Sequence, residues 1–414
     1  QVTSRTGLIP EPATRGGGLD LIGDSVLLGT GDGHLYLLDF DETGGKVAME
    51  ELPTRVPSNR EEFAAGFGGI PRSPNRAVDW TDRGAPRVQT WRFRVADVIA
   101  QQRPGGIRLY ASHHYWKTDD ECFVVRVSTL DVPSMDASAL RDAHWNTLFD
   151  TIPCVPLAGE LRKRGKNPFK GEEAASRMAL LDDQTLLLTV GDHGFYGLES
   201  LQVFAQDPNA SYGKTIRIDL ATGNAEIFTI GHRNAQGLFV TDEGRIWLTE
   251  HGSQGGDEIN LLQQGANYGW PFVTYGTEYG ALAWPLSRQQ NRHEGFVQPA
   301  YAWVPSIGTS SVIQITSNKE FPIWRGDLLI GSLATRSLYR VVLNGEHAIL
   351  SEPIPLNHRV RDLLELPDGR ILVWTDDAAL LTVEVASGTD GAATFSMMCM
   401  GCHQAVDGIS HRIG

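Results

Sequence analysis

The chain has 414 residues, 45 of them glycine and 21 proline, about one position in six, a turn-dense composition that excludes a helical bundle. Its 36 basic against 50 acidic side chains leave a net charge of −14, which excludes a broad electropositive surface for nucleic acid or anionic lipid. No apolar run reaches the roughly 18 residues that a membrane-spanning helix needs.

The chain starts at Gln1 with neither a charged nor an apolar leader behind it, as expected of a mature exported protein, or simply of one trimmed at its start. The first recognisable element is Gly23-Asp24-Ser25-Val26-Leu27-Leu28-Gly29-Thr30-Gly31-Asp32: a turn, an apolar strand and an acidic stop. His113-His114-Tyr115-Trp116 reads as strand, where adjacent side chains face opposite sides. At most one histidine can then enter a given site, and a packed or surface pair is expected. Cys122 and Cys154 stand 32 residues apart in unrelated contexts; an oxidising compartment would let them pair, and spacing alone leaves the bond open. Residues 136–149 carry a capping candidate, Asp136, and apolar residues at helical spacing, which predicts one helix in an insertion. The basic stretch from Arg162 to Lys170 contains Gly165 and Pro168 and reads as a solvated loop.

The turn, strand and stop plan returns at residues 182–192, 242–250 and 367–376, and more loosely at 324–331. Partner strands lie between these units: residues 215–219 and 225–229 flank Ala221-Thr222-Gly223-Asn224 as a hairpin. Four-stranded units recurring about every 40 to 50 residues mark propeller blades. The spacing runs from 41 residues (Asp327 to Asp368) to 60 (Asp182 to Asp242), so the expected class is all-β. The expected fold is a six-bladed β-propeller with long loop insertions over residues 1–392; a pair of β-sandwiches is the other all-β arrangement.

Three constellations carry chemistry. Residues 231–271 hold Gly231-His232-Arg233-Asn234 before one strand and Glu250-His251-Gly252-Ser253-Gln254-Gly255-Gly256-Asp257-Glu258 after it, leading to Tyr268-Gly269-Trp270-Pro271. A glycine-rich loop of this kind offers carbonyls and carboxylates to a hard cation such as Ca²⁺, beside an arginine and amides suited to an anion. Glycine and aspartate also shape ordinary turns, and Arg233 has a structural carboxylate as its other natural partner. In Asn357-His358-Arg359-Val360-Arg361-Asp362, residues two apart on a strand share a face, so Arg359 and Arg361 can point at one carboxylate-rich ligand, or be two surface arginines. In Cys399-Met400-Gly401-Cys402-His403, two thiols three residues apart can each form a thioether to a haem vinyl group, with the histidine as proximal ligand. A zinc site that also recruits Cys122 and Cys154, or a redox dithiol, is the alternative.

Taken together, the order of these motifs, with Gln298-Pro299-Ala300-Tyr301-Ala302-Trp303 and Ser306-Ile307-Gly308-Thr309-Ser310, resembles the soluble quinoprotein glucose and aldose sugar dehydrogenases. Those are six-bladed propellers that hold pyrroloquinoline quinone and Ca²⁺, and the resemblance covers roughly residues 170–385, with residues 1–169 matching poorly. It implies that Arg233 and Asn234 contact the quinone, that Arg359 and Arg361 bind its carboxylates, and that the carbonyls of Gly252 and Ser253 face its Ca²⁺. Asp257, Glu258 and Tyr268 match a region that holds a further Ca²⁺ in some members, and Asp192 matches a carboxylate that orients the catalytic base. The chain departs from the family in three places. Glu173 stands where the family's catalytic histidine is expected, Ala334 where a cofactor-contacting lysine is expected, and the early Gln-Gly-Gly segment is not recognisable between Thr90 and Asp97. Residues 393–414 resemble the start of a small α-helical class I cytochrome c domain, with only 11 residues after His403.

The expectation is an exported, periplasmic-type quinoprotein dehydrogenase. A sugar or alcohol gives two electrons that leave through haem c to a downstream acceptor, with no nucleic acid and no membrane span involved. Its competitor is a non-catalytic propeller, a binding or scaffold module with a decayed cofactor site, attached to an electron-carrying cytochrome c.

Overall fold

The computed structural model describes residues 2–8, 15–40, 47–66, 92–156, 171–198, 200–280, 282–287, 292–385, 403–406 and 409–412. Six four-stranded antiparallel blades are arranged in chain order around a central channel. Blade 1 is built from Gly17–Ile22, Ser25–Thr30, His34–Phe40 and Val47–Arg55. Blade 2 has Val95–Arg103, Gly106–Lys117 and Cys122–Val132, with its outer position shared between Asn146–Asp150 and Val155–Pro156. Blade 3 runs from Met178–Asp182 to Ala225–Ile230, blade 4 from Ala235–Val240 to Tyr301–Trp303, and blade 5 from Thr309–Gln314 to His347–Pro355. Blade 6 takes Val360–Glu365, Ile371–Thr375 and Ala379–Val385 from one end of the chain and its outer strand, Val2–Leu8, from the other. That pairing closes the ring by joining the two ends of the chain in one blade.

Every repeated unit legible in the sequence is the second strand of a blade: Ser25–Thr30, Thr185–Val190, Ile246–Glu250, Leu328–Ser332 and Ile371–Thr375. Four of the five are buried along their whole length, which is why they read as continuous apolar runs rather than as alternation. Apolar layers fill the space between adjacent blades; the one under blades 2 and 3 is the most aromatic, with Phe93, Tyr110, Phe123, Phe195 and Tyr212 all buried.

The helix expected over 136–149 is shorter than predicted. Asp136 caps it as expected, its carboxylate accepting from the Ser138 and Ala139 N–H groups, but the helix ends at Asp142. Asn146–Asp150 instead pairs with residues 126–129 on the edge of blade 2, where Asp150 forms a bidentate pair with Arg126 at 2.7 and 2.9 Å. Tertiary pairing has overridden the local helical spacing. Cys122 and Cys154 are joined in a disulfide that ties the start of the third strand of blade 2 to the segment leading into the outer strand. The basic stretch 162–170 lies outside the described residues, as do Cys399 and Cys402. Of the helical cytochrome c start expected over 393–414, the described residues hold only a short antiparallel pair, His403–Val406 with Ile409–Arg412.

A ring of polar bonds stitches the blades together at the channel. Three aspartates on innermost strands each accept a backbone N–H from the next blade: Asp20 from Ala100 (2.7 Å), Asp97 from Met178 (2.8 Å) and Asp362 from Leu19 (2.8 Å). Hydroxyls complete the circuit, with Thr189 donating to the Ala235 carbonyl (2.9 Å), Thr249 to Ser310 (2.7 Å) and Ser310 to Val360 (2.8 Å). Arg177 lies between Asp97 (3.1 Å) and Asp362, so one guanidinium serves a cluster of three acids. Burial, opposed by Arg177 and reinforced by Asp362, pushes the Asp97 carboxyl up to about 7.

An acid raised in this way takes up a proton on folding. Its contribution to stability is complete below the ordinary value of 3.8 and is lost as pH rises through about 7. Asp97→Asn keeps an acceptor for the Met178 N–H and removes the titration, so the decline of unfolding free energy between about pH 4 and 7, measured in urea, is expected to flatten. An unchanged slope would assign the pH dependence elsewhere.

Candidate functional site

The blade architecture brings two kinds of chain segment to one end of the channel: the entries to first strands and the exits from second strands. Arg94, Glu173, Arg233, Thr309 and Arg359 lie on or next to entries; Asp192, His251, Leu333 and Asp376 lie on exits. The acidic or small stop of the repeated unit is therefore the residue that reaches the site.

Three loops interlock at the side of blades 3 and 4. The Asp192 N–H donates to the Arg233 carbonyl (2.9 Å), the His193 N–H to Glu173 (3.1 Å) and the Gly191 N–H to Ala175 (2.9 Å). Gly191 is required there, since a Cβ would stand 1.9 Å from the Glu173 carbonyl oxygen. On this frame Arg233 Nη2 donates to Glu173 Oε1 at 2.6 Å, and the guanidinium sits 5.4 Å from the Trp270 ring. Asp192 accepts from the Trp270 indole (2.6 Å) and the Gly194 N–H (2.8 Å). Burial and the neighbouring Glu173 push its carboxyl well above the usual range, against the pull of Arg233. One guanidinium thus faces two carboxylates.

Asn234 links this corner to the next. Its Oδ1 accepts from the Ala175 N–H (3.1 Å) and from Gln236 Nε2 (3.0 Å), and its Nδ2 donates to His251 Nδ1 (3.1 Å). His251 Nε2 donates to the Thr309 carbonyl at 2.6 Å; burial lowers its imidazole, which fits this neutral, donor-acceptor role. Arg359 and Arg361 share a face as expected, and the carboxylate they meet is Asp376: Arg361 at 2.8 and 2.9 Å, Arg359 at 3.3 Å. Burial would raise Asp376, but the guanidiniums of Arg361, Arg94 and Arg359 outweigh it and hold the carboxyl at about 2.

The glycine-rich loop is set by Asp257. Its carboxylate accepts from the N–H groups of Gly252 (3.0 Å), Ile307 (3.1 Å), Gly308 (2.5 Å) and Thr309 (3.1 Å), and from the Ser306 hydroxyl (2.7 Å). Five donors saturate both oxygens, so the Asp257 side chain is a clamp between blades 4 and 5 rather than a cation ligand. Tyr268 is likewise engaged: its hydroxyl donates to the Leu261 carbonyl (2.7 Å), accepts from the Gln263 N–H (2.9 Å), and its ring stacks on His232. Glu258 lies opposite Glu250 across two strands, buried and pushed well above the usual carboxylate range by burial and by Glu250. Gly252 and Ser253 are buried in the same loop, whose tightness leaves a Cβ on Gly252 only 2.1 Å from the Gly255 carbonyl oxygen. Among the described residues no three His, Cys, Asp or Glu side chains gather as a metal cluster, so a cation here would rely on backbone carbonyls.

The structure thus brings Glu173, Asp192, Arg233 and Asn234 together, and Arg359 with Arg361 a short way around the same mouth. His113 and His114 are a packed pair, His113 bonded to Ser128 (2.9 Å) and His114 set against the rings of Phe93 and His193. Sequence reasoning missed Arg94, Gln236 and Asp376. Asp376 had a signal, as the stop of a repeated strand; Arg94 had none, lying in the stretch without a recognisable motif.

The glucose/sorbosone dehydrogenase family matches this sequence over residues 161–382. An uncharacterized protein of Synechocystis is 36% identical over 231 residues, 51% of this chain and 55% of its own length. The aldose sugar dehydrogenase of Escherichia coli is 34% identical over 191 residues, 42% and 51% respectively. The chain therefore spans about half the length of these curated relatives. Quinoprotein glucose dehydrogenase B of Acinetobacter calcoaceticus is 25% identical over 382 residues, 72% and 78%. Among solved structures, the apo form of the soluble E. coli aldose sugar dehydrogenase superposes with a TM-score of 0.67 at 23% identity, covering 92% of this chain and 99% of that one. The pyrroloquinoline quinone-bound aldose sugar dehydrogenase of Streptomyces coelicolor gives 0.61 at 18%, covering 93% and 99%. At those identities the structural likeness is one of fold.

Asp257→Ala would strand four backbone N–H groups and a hydroxyl, for an expected loss of about 3 kcal/mol or more of unfolding free energy in urea. Hydrogen exchange is expected to accelerate at residues 252–256 and 306–309 before it does elsewhere; uniform acceleration would refute the clamp.

Proposed function

Because this chain belongs to the glucose/sorbosone dehydrogenase family, we propose that it oxidises a sugar or alcohol with pyrroloquinoline quinone and Ca²⁺ and passes the electrons to a covalently attached c-type haem. The observation that carries the reading is the gathering of guanidiniums at the channel mouth, which suits a ligand bearing several carboxylates. Two buried polar atoms in the same mouth, Arg233 Nε and Thr309 Oγ1, have no partner among the described residues, so the site has unspent hydrogen-bonding capacity.

Arg233 and Asn234 would hold the quinone on one side and Arg359 with Arg361 on the other, with the carbonyls of Gly252 and Ser253 toward Ca²⁺. When bound, such a quinone accepts the electron pair and hydrogen released at the sugar carbon. Glu173 would take the substrate hydroxyl proton, beside Asp192, whose carboxyl burial and Glu173 push well above the usual range. The Trp270 indole and the Gly194 N–H fix Asp192, and through the interlocked loops they fix Glu173. Cys399 and Cys402 would hold the haem by thioethers, with His403 on its iron. Such a haem would supply one-electron transfer toward a downstream acceptor. The Cys122–Cys154 disulfide supports an oxidising compartment, in keeping with an exported, periplasmic protein.

One observation favours a second reading, a non-catalytic propeller attached to an electron carrier. The guanidiniums are already balanced by protein carboxylates, Arg233 by Glu173 and the blade 6 pair by Asp376, while Glu173 and Ala334 stand where the family has its histidine and lysine.

Full-length protein reconstituted with the quinone and Ca²⁺ is expected to show reduced-haem absorption bands on addition of a sugar or alcohol. A haem spectrum that no sugar or alcohol changes would sink the activity. Failure to bind the quinone, together with a Glu173→His variant that stays inactive, would establish the second reading.

A further inference from the structure

Arg94 enters the channel mouth from blade 2 and has no assigned role. It lines a cleft with Gly16, Ser176, Arg177, Gln236 and Arg361, directly beside the Arg359, Arg361 and Asp376 group. Its backbone is pinned on both sides: the N–H donates to His114 Nδ1 (3.2 Å) and the carbonyl accepts the His114 N–H (3.1 Å). Its stem rests on Gly16, where a Cβ would come within 3.0 Å of Arg94 Cδ, so a side chain at that position would crowd it.

The guanidinium itself is poorly answered. Its one protein bond is a long one, 3.4 Å to the Arg15 carbonyl, and among the described residues no carboxylate lies within 4.0 Å of it. Arg177 has Asp97 and Asp362, Arg233 has Glu173, and Arg359 and Arg361 share Asp376. Arg94, Arg359 and Arg361 therefore all act on one carboxylate, Asp376, and Arg94 is the one of the three that makes no ion pair with it. Burial and Arg361 together pull Arg94 down to about 9, the mark of a cation held where its charge is unsatisfied. Holding charge in that state is unfavourable unless a ligand brings the missing anion.

We propose that Arg94 is a cofactor-binding residue, donating from blade 2 to a carboxylate of the quinone in the cleft it shares with Arg361. This rests on the quinone reading above and adds to it a ligand that the motif region does not contain. Because the Arg94 guanidinium is a fork and shares its cleft with that of Arg361, the group it takes is a planar carboxylate rather than a sugar hydroxyl.

The test is the affinity of the full-length protein for pyrroloquinoline quinone with Ca²⁺, read by calorimetry and by quenching of tryptophan fluorescence, without substrate. Arg94→Gln is expected to weaken binding by roughly ten- to a hundredfold, the scale of one charge-assisted hydrogen bond. Arg217→Gln, which removes the same charge from an exposed position on blade 3, is expected to leave it within about twofold. Thermal unfolding checks that each variant is folded; if Arg94→Gln is not, Arg94→Lys keeps the charge and stem and is expected to lose about three- to tenfold. An unmodified protein that binds, beside an Arg94 variant that binds equally well, overturns the role of Arg94 alone. An unmodified protein that does not bind overturns the quinone reading and the role of Arg94 with it.

Discussion

The six inter-blade bonds at the channel set everything above them. A propeller's blades touch chiefly through apolar layers, which resist separation but tolerate sliding, whereas a hydrogen bond from each blade to the next fixes the angle between them. Here every junction has one: Asp20, Asp97, Thr189, Thr249, Ser310 and Asp362 each reach the backbone of the following blade. The site is assembled from loops of all six blades, so its distances are only as well defined as those angles. The aspartates do this at the cost of buried negative charge, and the single guanidinium of Arg177 offsets part of it.

The same economy of charge governs the mouth. A mouth lined only with guanidiniums would repel itself, and Asp376 and Glu173 prevent that by pairing with its arginines. Such pairing has two consequences. It preorganises the forks, since Arg361 is held bidentately and braced by Gln236 (3.0 Å). It also lowers the gain from binding an anion, because each arginine is shared rather than released. Arg94 stands outside this trade: among the described residues no carboxylate lies within ion-pair reach of its guanidinium.

How much of this was readable in the sequence follows from burial. The second strands are covered on both faces, so their apolar runs stand out, and five of the six blades can be placed from them. Blade 2 could not, because its second strand, Gly106–Lys117, carries Ser112 and two histidines that are buried through specific partners rather than by apolar character. The helix end at Asp142 was invisible for a related reason: what stops it is Arg126, distant in sequence, pairing with Asp150. In the site, the shared face of Arg359 and Arg361 followed from strand geometry alone. That their common partner is Asp376, or that Asp257 is consumed in clamping a loop, depends on which second-strand exit meets which first-strand entry, and spacing carries no such information.

Glu173 gathers these constraints at one residue. A carboxylate serves as a base only while it is ionised and able to reach its proton, and Arg233 secures the first condition while constraining the second. A ligand carboxylate arriving at Arg233 competes for that same guanidinium. Every bond it takes from Arg233 loosens the hold on Glu173, beside Asp192, whose carboxyl burial and Glu173 push well above the usual range. A histidine base would need no such balance, being neutral before it acts. In the proposed dehydrogenase, Glu173 as base would therefore be tied to cofactor occupancy: it is paired with Arg233 in this structure and would be released to accept a proton when a ligand anion shares that arginine.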